Sequence, residues 1–261
     1  MTRFVVSLLI LAAAPLAAQE TRPAAAPAEV VAVGNFIHIV ADLDKSLGLY
    51  RDALRLEVYA NQPYAPNPAI EKLGHTEGGQ SRYVALRVPG FALGVELIEY
   101  KDIARSVQHP RFIDPGAANI AMRVRDLDSL FAKVAKVPGV QVLTAEGKPV
   151  TVTTPNGTLH IVFLQDPDGF VLELLQAAAP ADAPAGNVFG GGSFEPAVAD
   201  SEASVKFYNE LLGFDFKLGA SFNDNQQMAA TAGATGASFR QSVATIPGTA
   251  VPMTLIEFKG L

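Results

Sequence analysis

The chain has 261 residues, 49% of them hydrophobic and 18% charged, a composition that excludes disordered and collagen-like classes and fits one or two globular domains. Twenty Lys+Arg against 26 Asp+Glu leave a net charge of −6, so no broad basic face is offered to phosphates and nucleic acid is not an expected partner. There is no cysteine, which removes disulfides, thiolate nucleophiles and Cys-ligated zinc or iron-sulfur centres and leaves any metal to oxygen and nitrogen ligands.

Residues 1–18 carry one cation, Arg3, then an apolar run and small residues at Ala17 and Ala18, the pattern of a secretory signal peptide. The run is about half of the ~20 apolar residues that a bilayer-spanning helix needs. The expectation is therefore a periplasmic or secreted protein with no stable membrane anchor. Residues 19–33, rich in Pro and Ala, read as a flexible leader.

Three segments then repeat. GNFIHIVADLDKSLGLYRDALRLEVYA starts at Gly34, AANIAMRVRDLDSLFAKVAKVPGVQVL at Ala117 and GGSFEPAVADSEASVKFYNELLGFDFK at Gly191. Each reads as strand, helix, strand: Phe36, Ile37, Ile39 and Val40 form an apolar strand, Asp42 or Asp44 sits at the helix N-cap, and Leu47, Tyr50 and Leu54 recur at helical spacing. In the third copy Ser201, Val205, Tyr208 and Leu212 take the same parts and Gly213 stops the helix. Two further strands close each copy, around Pro89-Gly90, Asp166-Pro167-Asp168-Gly169 and Pro247-Gly248. The unit is βαβββ in triplicate, modules 34–102, 115–177 and 189–261, with an Ala/Pro/Gly linker at 178–188. GGGS at Gly190 to Ser193 reads as a linker-to-strand entry and not a phosphate cradle, and no P-loop, dinucleotide fingerprint or nucleophile elbow is present.

On DLDKSLGLYRDALRLEV, QDPDGFVLELLQ and SEASVKFYNELLGFDF, in order and in repeat, the chain resembles the vicinal oxygen chelate superfamily of glyoxalase I, extradiol dioxygenases, methylmalonyl-CoA epimerase and bleomycin-resistance proteins. The resemblance implies an α+β fold in which two βαβββ modules pair their curved sheets around a cavity. Residues 34–177 would then be one complete domain, and 189–261 an additional half domain. That half domain is either truncated, or paired with its counterpart in a homodimer, or folded back on the first domain.

The resemblance also implies where chemistry lies. Metal-ligand positions on first strands fall on Asn35 and Asn119, with Ser193 in the third copy; those on last strands fall on Glu96 and Glu173, with Thr254 in the third copy. Imidazoles are absent from these first-strand ligand positions, so the set is all oxygen and better suited to Mn, Mg or Ca than to Fe or Zn, or to no metal at all. The expected metal ligands are Glu96 and Glu173. Asn35 and Asn119 would complete or orient the shell, with Arg123 meeting an anionic ligand or bridging one of the carboxylates. With Gln165 opposite Phe170, His160 shares the face of Glu173, and the two form the expected catalytic pair. His38 alternates away from Asn35 toward the helix, His75 and His109 fall in loops, and Glu99 and Glu257 are expected to face solvent. Two functional readings stand: a divalent-metal-assisted lyase, isomerase or dioxygenase on a small organic molecule, or a metal-free ligand-sequestering protein of bleomycin-resistance type. A scaffold for assembly is the third.

Overall fold

In the computed structural model, residue 30 and residues 33–104, 110–154 and 157–260 are described. The expected signal peptide and His109 lie outside them. Module 1 comprises β1 (Phe36–Val40), α1 (Leu43–Leu47) running on into a π-helical segment (Gly48–Ala53), β2 (Glu57–Ala65), α2 (Pro68–Gly74), β3 (Gln80–Arg87) and β4 (Gly94–Lys101). Module 2 comprises β5 (Ala118–Val124), α3 (Leu127–Val134), β6 (Gln141–Val142), β7 (Val150–Thr154), β8 (Gly157–Gln165) and β9 (Val171–Gln176). Module 3 comprises β10 (Val188–Pro196), α4 (Ser201–Leu212), α5 (Gln226–Thr231), β11 (Ser238–Thr245) and β12 (Pro252–Lys259). No described helix is long and apolar enough to cross a membrane.

The same local chemistry starts the main helix of each module. Asp42, Asp126 and Asp200 are extended and accept hydrogen bonds from the amides of Lys45, Ser129 and Ala203, satisfying donors that the first helical turn leaves free. A second cap comes from the last strand. Glu99 accepts from the Leu43 amide at 2.7 Å, Gln176 from Leu127 at 2.8 Å and Glu257 from Ser201 at 3.0 Å. Glu99 and Glu257 therefore do not face solvent, as alternation alone suggested; each turns back onto a helix start, where an arginine, Arg82 or Arg240, completes an ion pair. Burial pushes the Glu257 carboxyl up, but hydrogen bonds from the Ser201 hydroxyl and amide and from Arg240 outweigh it and hold it at about 2.

The sheets combine the modules in an unexpected way. Module 1 forms its own four-stranded sheet, β1-β4-β3-β2, whereas modules 2 and 3 share an eight-stranded sheet, β11-β12-β10-β5-β9-β8-β6, with β7 paired to β8. The seam is an antiparallel pairing of two first strands, β10 on β5, with Phe194 opposite Ile120 and Glu195 opposite Asn119. The third module thus folds back within the chain, and the shared cavity belongs to modules 2 and 3 rather than 1 and 2. Modules 1 and 2 instead pack through their helix-bearing faces. One core joins Val40, Leu43, Tyr50, Leu86 and Leu97 to Ile120, Met122, Leu127, Leu164 and Leu172.

Glycines make the seam possible. A Cβ on Gly192 would lie 2.8 Å from the Cβ of Ala121, and one on Gly191 would enter the ring of Phe91; GGGS is part of β10, flanked by register shifts, not an entry to it. The linker is also pinned: Asn187 accepts from the amides of Arg125 and Asp126, and the Arg125 guanidinium donates to the carbonyls of Gly186 and Pro184.

Candidate active site

Neighbouring strands β9, β5 and β10 put Glu173, Asn119 and Glu195 on one face of the eight-stranded sheet, because Ala121 pairs with Glu173 and Asn119 with Glu195. They are buried, at 8%, 0% and 9% exposure. The Asn119 amide donates to Glu195 at 3.2 Å and to Glu173 at 3.4 Å, and the Ser193 hydroxyl donates to Glu195. Burial, and then the neighbouring Glu195 carboxyl, push the Glu173 carboxyl well above the usual carboxylate range. Burial beside a second acid therefore favours the protonated form of Glu173.

Above the two carboxyls lies a cavity of about 430 Å³. Phe112, Phe163, Phe239 and Phe258 give it an aromatic wall, and Asn223, Asn225 and Gln241 supply amides. The arrangement suits a small molecule with an apolar body and polar edges. Chemically, it can take a proton from carbon with a carboxylate while a neighbouring carboxylic acid gives one.

The expected ligand pair is not formed. Glu96 lies on module 1, where Asn35 donates to it at 3.3 Å and to the Tyr59 hydroxyl, while Glu173 lies on the other sheet with the shared core between the two sheets. One ion therefore cannot take both. Asn119 does meet Glu173, and Thr254, buried at 6% exposure, follows Met253, the partner of Phe194, so that it lies on the rung beside Glu195. His160 is corrected by one register step. Asp166 closes the turn by accepting the Asp168 and Phe170 amides on Oδ1, with its own amide bonded to the Phe170 carbonyl. Gln165 consequently pairs with Val171, Phe163 with Glu173 and His160 with Gln176. A one-residue shift sends a side chain to the opposite face, and His160 meets Asp128 on the helix side at 3.2 Å. Arg123 is exposed and makes no ion pair among the described residues. His38 does face the helix side, meeting buried Asp166 at 2.8 Å.

Glu195 is the residue that counting by repeat missed, because the count lands on Ser193. An acid inside the otherwise apolar and glycine-rich strand VFGGGSFEP was the available signal. As to a metal, the buried set is Glu173, Glu195 and the Asn119 amide, whose Oδ1 has no hydrogen-bond partner. All three are oxygen donors and fit a hard ion such as Mg²⁺ or Mn²⁺, not the nitrogen- and sulfur-rich shell that zinc prefers. A second cluster, His38, Asp166 and Asp168, is already occupied by hydrogen bonds: Asp166 takes His38 and Tyr50, and Asp168 takes the Ala41 amide and the Ser46 hydroxyl.

Residues 33–174 match the family model of the Glyoxalase/Bleomycin resistance protein/Dioxygenase superfamily. A 2-epi-5-epi-valiolone epimerase of Actinomyces sp is 31% identical over 157 residues, covering 59% of this chain and 82% of the relative. Glyoxalase I from Zea mays superposes with a TM-score of 0.54 at 20% identity, covering 86% of this chain and 66% of that one. A dioxygenase-like protein of Bacillus subtilis superposes with a TM-score of 0.52 at 11% identity, covering 87% and 64%. At these identities the two structures speak for the fold, and this chain spans less than two thirds of each.

Proposed function

The chain belongs to the Glyoxalase/Bleomycin resistance protein/Dioxygenase superfamily, and on that premise we propose that its module 2–3 cavity catalyses reversible proton transfer at a carbon next to a carbonyl, an epimerase or isomerase reaction. The observation that carries this reading is the buried Glu173–Glu195 pair at the cavity floor. Glu195, held by Ser193 and Asn119, takes the proton from carbon, and Glu173, whose proton burial retains, donates to the developing oxyanion. Glu195 then gives that proton to the opposite face of the turned enol, or to the neighbouring carbon, and the enol hydroxyl returns its proton to Glu173, which yields the epimer or isomer and restores both carboxyls. The substrate class is a small hydroxylated ketone, which the epimerase relative's name also suggests. A hard divalent ion held by Glu173, Glu195 and Asn119 would displace the Glu173 proton and supply Lewis-acid stabilisation of the enolate in its place, so the metal-bound and acid-base forms of the site would be alternatives.

The test follows the proton. The purified protein is incubated in D2O with 2-epi-5-epi-valiolone and simpler hydroxylated ketones, and NMR reads deuterium entering next to the carbonyl. Glu195→Gln and Glu173→Gln are each expected to slow exchange by about 10²–10⁴-fold, the range typical of general acid-base catalysis. Saturable binding without exchange in the unaltered protein would replace catalysis with ligand sequestration.

A further inference from the structure

The cavity over Glu173 and Glu195 has a second polar region at its mouth, where hydrogen bonds separate the amides that hold the fold from those that do not. Asn223, Asn225 and Gln241 all line it. Asn225 is spent on structure: its Oδ1 accepts from the Met228 amide at 3.1 Å and caps α5, and its Nδ2 donates to the Thr153 carbonyl on β7 at 3.2 Å. The Gln227 amide donates to the Thr151 carbonyl at 2.7 Å. These bonds strap the segment between α4 and β11 to module 2.

Asn223 and Gln241 keep their amides. Asn223 Oδ1 accepts from the Asn225 amide at 2.9 Å, but Nδ2 has no partner among the described residues, and the Gln241 carboxamide has none at either end. Both are nonetheless firmly placed. The Asn223 backbone pairs with Phe239 in both directions, at 2.7 and 2.9 Å. Phe222 before it meets the Arg240 guanidinium and the Lys259 ammonium, 4.9 and 4.1 Å from its ring centre. Gln241 is held in β11 opposite Ile256.

The distance from these amides to the reacting carboxyls sets what can lie between them. Phe194 pairs with Met253, so Glu195 is level with Thr254 on β12; Gln241 is one strand further and two residues along. That puts the Gln241 backbone roughly 12 Å from the Glu195 backbone. Ile256, Phe239 and Phe258 line the cavity on this side. A ring whose carbon faces rest on this apolar wall presents hydroxyls to both ends, and a few placed polar groups then fix its orientation.

We propose that Asn223 Nδ2 and the Gln241 carboxamide hydrogen-bond the hydroxyls on the side of the substrate remote from its ketone, so that the cavity selects a polyhydroxylated ring ketone over one hydroxylated only beside the carbonyl. The inference rests on the reading that places the ketone at Glu173 and Glu195. The two amides determine specificity and take no part in the proton transfer.

Isothermal titration calorimetry of the full chain with a pentahydroxycyclohexanone and with 2-hydroxycyclohexanone reads this selection without turnover. The unaltered protein is expected to bind the first about 10-fold more tightly, a preference that one or two neutral hydrogen bonds supply. Gln241→Met keeps the length of the side chain and removes both polar ends; Asn223→Ser withdraws the amide but leaves a hydroxyl to accept from Asn225. Each is expected to reduce the ratio of the two affinities by about 2–10-fold, with near-ultraviolet circular dichroism unchanged. A ratio that neither variant lowers overturns the proposal, as does an unaltered protein that shows no preference or binds neither ketone. Failure of the proton-transfer reading looks different: the preference and its loss in the variants persist, while no deuterium enters the bound ketone in D2O.

Discussion

Glu173 and Glu257 are both buried carboxyls on last strands, yet their surroundings drive them in opposite directions. Glu257 receives the Ser201 hydroxyl and amide and the Arg240 guanidinium; Glu173 receives a shared amide and faces a second acid. The signs of their contributions to stability differ accordingly. A carboxyl held at about 2 favours the folded state above the ordinary carboxylate range, and that stability is lost as pH falls from there toward 2. Glu257→Gln should therefore flatten the loss of thermal stability between about pH 5 and pH 2 and lower the melting temperature at neutral pH. Glu173, raised when folded, does the reverse: it destabilises increasingly as pH rises above the ordinary range. Glu173→Gln should melt higher than the unaltered protein at pH 8, a gain of roughly 0.5–2 kcal/mol, while proton exchange slows. Melting curves across pH for both variants check the pair of signs, and a Glu173→Gln that melts lower would show that the acid is not strained.

At the scale of elements, the seam between β5 and β10 decides where the cavity forms. Gly192 lies against Ala121, whose Cβ cannot rotate away, so Gly192→Ala should cost about 1–3 kcal/mol by overpacking. Adding Ala121→Gly should recover much of it, since the two changes share one contact; denaturant unfolding of the four-member set measures the coupling. Much of this level is legible in the sequence. The triplicate DLD, RDLD and ADSE starts locate three helices and their aspartate caps, and the residue-by-residue count finds Asn119 and Glu173. What the count cannot supply is which modules pair, because modules 1, 2 and 3 have similar first strands and the choice rests on tertiary packing. Nor can it supply the register of the β8–β9 hairpin. The Asp166 side chain takes two amides within the turn, which moves the pairing by one residue and carries His160 away from Glu173.

Across the whole molecule, Asp166 is also the joint between modules. Its Oδ2 takes His38 and the Tyr50 hydroxyl, and Tyr50 is wholly buried, its hydroxyl pushed up by burial and by the Asp166 charge. Tyr50→Phe removes one partner and should cost about 1 kcal/mol; Asp166→Ala strands the tyrosine and two turn amides and should cost about 3 kcal/mol or more. Hydrogen exchange should then show module 1 losing protection before the shared sheet of modules 2 and 3, because the joint belongs to the first and the seam does not.

Acid-base chemistry in the cavity requires a proton held by Glu173 beside Glu195, and infrared difference spectroscopy reads that proton directly. At a pH where exposed carboxylates are ionised, the unaltered protein should retain a carboxylic-acid carbonyl band that disappears in Glu173→Gln and changes in Glu195→Gln. If no such band is present, so that both side chains are ionised in the folded protein, the acid-base pair does not exist and the reaction assigned to the cavity falls with it.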